Sequence, residues 1–404
     1  MPPADDQFAG LVSQARSLQP RTIALRRALH RRPEVGLELP HTREAVVQAL
    51  ADLPVKVQLG RSSSSVVGVL EGSRPGPTVL LRADMDALPL KEQTTLRFRS
   101  QIEGRMHACG HDAHVAMLAS AARLLADRRD KLAGRVLLMF QPGEEGHHGA
   151  RHMIDEGLLD VGGPAGRPDA AFALHISATL AAGELHTRPG PLMAANDTVR
   201  VTVTGRGGHA SAPHDALDPV PAAAAMIGAL QTAITRRVDS HHPAVLTITR
   251  LVAGTASNII PETALMEGTL RTLSEPVRTL LREEIRRVCR HIALAHGCTA
   301  EVDIEPGYPV TVNDAGAVER VAEVGRALLG AERVATMPTP IMGAEDFSYV
   351  LRQVPGALAF LGGCPRGTDP RVAAPNHSNR VVFDEEAMAA GTAVYAGLAL
   401  DALR

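Results

Sequence analysis

Apolar residues recur at helical spacing over residues 8–32, and Pro33 ends the pattern, so the chain is expected to open with an amphipathic helix. A second helix is expected over 42–53. Short β-rich runs follow at 66–70 and 78–82, the second leading into Ala83-Asp84-Met85-Asp86, which puts carboxylates at the end of a buried strand. The pattern then predicts a helix over 112–128, with Asp112 suited to its first turn. Residues 135–140 form a continuous apolar run of the kind found in a parallel strand covered on both faces. A helix at 149–159 and a strand at 170–174 complete this stretch, and His175 stands at the end of that strand. Strand, polar residues at its carboxyl end, then helix is the recurring motif, and open α/β sheets gather their ligands at those strand ends.

Near Ala194 the rhythm changes. Alternation with period two predicts half-exposed strands at 197–204, 245–250 and 264–271, and helices are expected at 219–236 and 275–296. After residues 306–309 the earlier pattern returns, with helices at 315–329 and 384–400 and a strand at 357–361. The expected fold is α/β: a domain with a mixed, mostly parallel sheet flanked by helices (1–193 and 306–404), into which a smaller α+β domain (194–305) is inserted.

Candidate chemistry sits on the strand-to-helix turns. His107, Cys109, His111, Asp112 and His114 crowd into Met106–His114 just before a helix, and a Cys-x-His pair offers soft ligands to a zinc-like ion. Glu144-Glu145 follow the apolar run at 135–140, so one carboxylate can hold a metal while its neighbour acts as general base toward water. His175 and His377, the latter in the polar turn Pro375-Asn376-His377-Ser378, are further candidate ligands. Gly205-Arg206-Gly207-Gly208-His209-Ala210 satisfies a dinucleotide fingerprint, but Pro213 and Pro219 and the missing βαβ context argue against a nucleotide site. No G-x-S-x-G elbow or thiol-protease signature competes.

Composition narrows the reading further. The 404 residues, 45% hydrophobic and 21% charged, suit a two-domain enzyme, and a net charge of −2 makes nucleic acid an unexpected partner. Four scattered cysteines are too few for a disulfide scaffold and fit a reducing compartment. Met1-Pro-Pro-Ala-Asp-Asp is acidic where a secretion leader is basic, and no apolar run reaches membrane-spanning length, so the expected location is the cytoplasm, with no membrane partner.

Six strings in chain order resemble the metal-dependent amidohydrolases that include hippurate hydrolase, bacterial aminoacylases and plant indole-3-acetyl-amino-acid hydrolases. They are Leu-Arg-Ala-Asp-Met-Asp-Ala-Leu-Pro at 81–89, Met-His-Ala-Cys-Gly-His-Asp-Ala-His at 106–114, Phe-Gln-Pro-Gly-Glu-Glu-Gly at 140–146, Gly-Gly-His-Ala at 207–210, Gly-Thr-Ala-Ser-Asn-Ile-Ile-Pro at 254–261 and Gly-Ala-Glu-Asp-Phe at 343–347. The resemblance implies a catalytic domain holding two divalent ions (zinc or manganese, with cobalt or nickel open) and an inserted lid that also makes a homodimer. It assigns Cys109, His111, Glu145, His175 and His377 as metal ligands and Glu144 as general base. His209 falls on the oxyanion-stabilising histidine, and Asn258 and Arg271 fall on holders of the substrate carboxylate. The implied reaction is hydrolysis of an N-acyl-L-amino acid to a carboxylic acid and a free amino acid; the alternatives are a dipeptidase, an N-acetyl-diaminopimelate deacetylase, or a non-catalytic metal-binding sensor on the same fold. Two departures stand out. Gly143 replaces the alanine of many members, and Asp84 stands where more distant relatives carry a metal-binding histidine, with Asp86 two residues on.

Overall fold

In the computed structural model, which describes residues 8–161 and 166–404, Ala133–Gln141 is a strand buried at every position but Arg135. The acidic stretch 1–6 lies outside the described residues. On one side this strand pairs in parallel with Arg74–Asp84, then come Ala170–Ser177 and Gly356–Gly362, also parallel. On its other side Val66–Glu71 and then Val55–Leu59 run antiparallel. Leu185–Thr187, antiparallel to Gly356–Gly362, and Val334–Thr336 close an eight-stranded mixed sheet. The runs expected at 78–82, 135–140, 170–174 and 357–361 are its four parallel central strands and the run at 66–70 is an antiparallel one; the strands at 55–59, 185–187 and 334–336, which the pattern missed, are only three to five residues long and leave little periodic signal.

Helices cover this sheet. Leu11–Arg31, His111–Ala126 and Ala387–Ala402 pack on one another, and His111–Ala126 is buried almost all round, the mark of a helix at the centre of a core. The helix expected at 149–159 stops at Asp155, because Gly157 adopts a left-handed φ of 95° and only a 3-10 turn, Leu158–Asp160, follows. The last helix begins at Ala387 rather than 384.

The chain divides into two compact units. The first contains this sheet and comprises Met1–Gly190, Val312–Thr339 and Tyr349–Arg404. The second, Pro191–Thr311 with Pro340–Ser348, has a four-stranded antiparallel sheet in the order Ala244–Ala253, Thr263–Thr272, Ala195–Thr204, Thr299–Pro306. Ala195–Thr204 alternates buried and half-exposed residues along its length, as its sequence rhythm predicts. Helices Pro219–Arg237 and Glu275–Ala295 cover the sheet, the first capped by Asp218, whose carboxylate accepts from Val220 N at 2.9 Å. Beneath the second, Asp197 is buried against Arg278 and Arg282, with Nη2 of Arg278 2.7 Å from Oδ1. Residues Pro340–Ser348, which the sequence pattern groups with the α/β part, cluster instead with this second unit. Ala194 N donates to the carbonyls of Ile341 and Gly343, and Arg271 donates to the carbonyl of Met342. No helix among the described residues is long and apolar enough to cross a membrane.

Candidate metal centre

Cys109 and His111 flank Gly110, and that glycine is obligatory. Its φ is +91°, and a Cβ there would sit 2.3 Å from Cγ2 of Ile176. The backbone can therefore pass close under the strand Ala170–Ser177 and bring both side chains toward His175. His175 lies inside that strand, paired with Phe360, and not at its end; the strand runs on to Ser177 because Ile176 and Ser177 continue the ladder with Gly356–Gly362. Nε2 of His175 is 3.3 Å from Sγ of Cys109. Nε2 of His377 is 3.3 Å from the same sulfur and 3.1 Å from Oε1 of Glu145.

Glu144 and Glu145 occupy the turn after Ala133–Gln141. Gly143 starts it with φ +72°, and a Cβ at this position would meet Leu37 Cδ2 at 2.5 Å, so the glycine that replaces alanine here suits this turn. Asp86 holds the pair: Glu144 N donates to its Oδ1 at 2.9 Å and Glu145 N to its Oδ2 at 3.0 Å. The two glutamates, His111, His175, His377 and Cys109 fall into three overlapping groups, Cys109/His111/His175, Cys109/Glu145/His377 and His111/Glu144/Glu145. Within each group the candidate ligand atoms lie within 4.8 Å of one another.

The hydrogen bonds select which ring nitrogens face this cluster. His111 Nδ1 is 2.8 Å from the carbonyl of Asp86, an acceptor, so Nδ1 carries a proton and the fully buried Nε2, 3.4 Å from Asp84 Oδ2, is the nitrogen that would face an ion once deprotonated. His175 Nδ1 likewise donates to the carbonyl of Ile176 at 2.9 Å. Soft sulfur, imidazole lone pairs and a buried carboxylate are the donor set of a divalent transition ion, and ligand histidines whose second nitrogen donates to a main-chain carbonyl are typical of such sites. The residues fit the implied metals.

Electrostatics tie the cluster together. Burial opposes charge on His111, yet Asp84 and Cys109 beside it hold its pKa well above the usual histidine value. Burial and the neighbouring His114 keep His175 well below it. Hydrogen bonds to Cys109 and Glu145 raise His377 to about 10, and burial pushes the Cys109 thiol up. Protons thus sit on His111, His377 and Cys109, where a divalent ion would displace them.

Several further residues anchor the candidate ligands, and two of them, Asp84 and His114, also form a candidate group with His111. Asp84 is fully buried, with Oδ2 2.7 Å from Arg82 Nη1 and Oδ1 2.5 Å from His114 Nδ1. Nε2 of His114 accepts from Ile176 N at 2.7 Å, pinning the strand one residue past His175. Asn376 donates to the carbonyls of Cys109 and Ile176 and accepts from Ala178 N, so it locks the loop of His377 to two ligand segments. His377 itself has a left-handed φ of 68°, a strained conformation for a non-glycine and one the surrounding bonds impose. Asp112 does not cap its helix. Its Oδ2 accepts from His30 Nδ1 at 2.7 Å and Arg26 Nε at 3.2 Å, deep in the core. His107 is buried with no hydrogen-bond partner at either nitrogen, and burial lowers it to about 4.

In the second unit, His209 and Asn258 come together on a two-stranded ribbon in which Ile259 pairs with His209 and Ala210 N donates to the carbonyl of Asn258. The glycines of the supposed nucleotide fingerprint serve this ribbon: a Cβ on Gly205 would meet Leu217 O at 1.9 Å and one on Gly207 would meet Ile260 O at 2.9 Å. Arg271, on Thr263–Thr272, is half-buried, and burial lowers its pKa.

The sequence profile of peptidase family M20/M25/M40 matches residues 80–401. The chain belongs to that family. It is 39% identical to thermostable carboxypeptidase 1 of Saccharolobus solfataricus over 98% of both chains. It is 36% identical to the N-acetylcysteine deacetylase of Bacillus subtilis over 94% of this chain and 96% of the relative. Among solved structures, the Bacillus subtilis YXEP protein, described as a dinuclear metal binding peptidase of the M20 family, superposes with a TM-score of 0.83 at 32% identity, covering 96% of this chain and 99% of the other. The protein is a metal-dependent amidohydrolase, and its candidate ligand groups together with the dinuclear relative support two divalent ions.

Proposed function

We propose that this M20 enzyme hydrolyses the amide bond of N-acyl-L-amino acids, releasing a carboxylic acid and a free amino acid. The observation that carries the substrate class is Arg271. Its guanidinium is half-buried, donates to the Met342 carbonyl at 3.2 Å, and has no carboxylate partner among the described residues. A desolvated guanidinium without an anion favours a ligand that brings one, here the α-carboxylate, and a bidentate fork orients it. Asn258, exposed on its ribbon, is a second contact for that carboxylate.

Cys109, His111, Glu145, His175 and His377 would hold the two ions, zinc or manganese by their donor types, with cobalt or nickel also compatible. Divalent ions at such a site polarise a carbonyl and acidify water. Glu144 takes a proton from the attacking water on its carboxylate and delivers it to the amide nitrogen as the C–N bond breaks. Its backbone, fixed by Asp86, sets where that carboxylate stands. His209 donates a hydrogen bond to the oxyanion. Glu144→Gln is expected to keep its metal and lose activity by orders of magnitude; metal retained with near wild-type turnover would refute the base assignment.

A second reading has a specific footing in the carboxypeptidase relative: the same guanidinium would hold the C-terminal carboxylate of a peptide. Comparing kcat/KM for hippurate, N-acetyl-methionine, N-acetyl-cysteine and indole-acetyl-alanine with that for dipeptides and N-blocked peptides separates the two. Preference for peptides overturns the acyl-amino-acid reading, and bound metal with no amide turned over would favour a sensor. The dimer implied by the family is supported by Ala244–Ala253, an edge strand on which Val245, Leu251 and Val252 are exposed. Sedimentation as a monomer at micromolar concentration would refute it. Four buried, unpaired cysteines support a cytoplasmic location.

A further inference from the structure

The ring of His209 is held by one neighbour. Ser211 N donates to His209 Nδ1 at 3.1 Å, and the Ser211 hydroxyl is 2.7 Å from the same nitrogen. A backbone N–H cannot accept, so Nδ1 must present its lone pair and the proton of the neutral ring resides on Nε2. With Nδ1 already an acceptor, the hydroxyl is a second donor to it rather than an alternative acceptor. The turn that carries both groups is fixed on each side. Ala212 N donates to the His209 carbonyl at 2.9 Å, Ala210 N donates to the Asn258 carbonyl at 3.0 Å, and His209 is in register with Ile259. His209 and Ser211 are both exposed, so packing does not orient the imidazole and these two bonds do.

We propose that Ser211 is a positioning residue for the reaction: it locks His209 as a neutral, oriented Nε2–H donor for the oxyanion of the tetrahedral intermediate. The inference rests on the oxyanion role given to His209 above and deepens it. A donor fixed before the reaction needs no reorganisation when negative charge develops, which is where such groups gain their effect. No proton leaves His209 in this role; it donates a hydrogen bond, and Glu144 carries the proton that moves. The hydroxyl of Ser211 then matters for the transition state more than for the bound substrate, so its loss should lower kcat and leave KM in place.

The test uses the full-length metal-loaded enzyme, labelled with 15N and 13C in histidine, with the His209 signals assigned by their absence in His209→Asn. In the wild type the ring is expected to carry its proton on Nε2 and to be ordered by 13C relaxation at Cε1. Ser211→Ala should mobilise the ring and reduce kcat for the best N-acyl amino acid about fivefold to tenfold at unchanged KM, the size of one neutral hydrogen bond. Ser211→Thr, which keeps the hydroxyl, should restore both. A proton on Nδ1 in the wild type, a ring equally ordered in Ser211→Ala, or equal loss of kcat in the alanine and threonine variants would overturn the proposal. The ring measurements need no substrate, so they decide the role of Ser211 even if no N-acyl amino acid is turned over, an outcome that would count against the functional reading alone.

Discussion

His30 and Asp112, the latter in the first turn of the helix that begins with His111, form an ion pair in the core, both about 1% exposed or less. Burial opposes the charge on His30, but the Asp112 carboxylate at 2.7 Å, helped by Glu92 at 3.4 Å on the other nitrogen, more than offsets it, and the pKa of His30 is raised from 6.5 to about 9. A raised folded-state pKa means that the protonated ring stabilises the fold fully below the unfolded value of 6.5, and that this contribution is lost as pH rises through about 9. At 1.36 kcal/mol per unit, the shift corresponds to about 3 kcal/mol, the range expected when one partner of a buried pair is removed. His30→Gln keeps size and polarity without the charge. In chelator-treated protein, to exclude linkage through metal, the variant should melt about 4 °C below wild type at pH 6, given the unfolding entropy of a chain this long. The gap should close progressively between pH 6.5 and 9.5. Differential scanning calorimetry at four pH values measures it. A gap independent of pH, or one that widens as pH rises, would refute the charged state assigned to His30.

Other outcomes follow from single contacts. Gly110→Ala must place a Cβ against Ile176 with φ at +91°, so it should cost more than about 2 kcal/mol and strip metal from the protein, read by urea unfolding and elemental analysis. Asp86→Asn sets an amide NH2 against one of the two glutamate N–H groups; metal affinity measured by chelator competition should fall about 10- to 100-fold, and unchanged affinity would show that Asp86 does not set the turn. Arg271→Lys should raise KM for acidic substrates while kcat changes little, since a point charge replaces a planar fork; a fall in kcat alone would remove the binding role.

The parallel strands and the candidate ligands were legible in the sequence for the same reason. A strand buried on both faces needs an unbroken apolar run, as in residues 136–140 of Ala133–Gln141, and the chemistry sits shortly after it in the chain, as Glu144 and Glu145 do. Where a position depended on three-dimensional neighbours, the sequence was silent. Asn376 is polar in a polar turn, and only the folded chain brings Cys109 and Ile176 within reach of its amide. The sequence pattern puts His175 at the end of a strand over 170–174, and it is pairing of Ile176 and Ser177 with Leu361 and Gly362, invisible in the local sequence, that carries the ladder two residues past it. Asp112 stands in the first turn of its helix as its position suggests, but the distant His30 and Arg26, which the sequence cannot place, claim its carboxylate.

Asp84 and Asp86 carry this point furthest. From the sequence alone, two aspartates at a strand end are as good a pair of metal ligands as Glu144 and Glu145. In the folded chain both oxygens of Asp84 are taken, by Arg82 and by His114, and both oxygens of Asp86 receive backbone N–H groups. A carboxylate so engaged has its negative charge already matched, and drawing it to a cation would cost Arg82 one of its buried hydrogen bonds or leave two buried N–H groups unpaired, at about 1 to 3 kcal/mol for each lost partner. Glu145 is paired with the ring of His377 at 3.1 Å, and both residues would hold an ion together, so neither would lose a structural partner by doing so. The four acidic residues therefore divide by what each one holds: Asp84 and Asp86 tie the frame together through Arg82, His114 and the turn N–H groups, which supports giving the proposed base and ligand roles to Glu144 and Glu145.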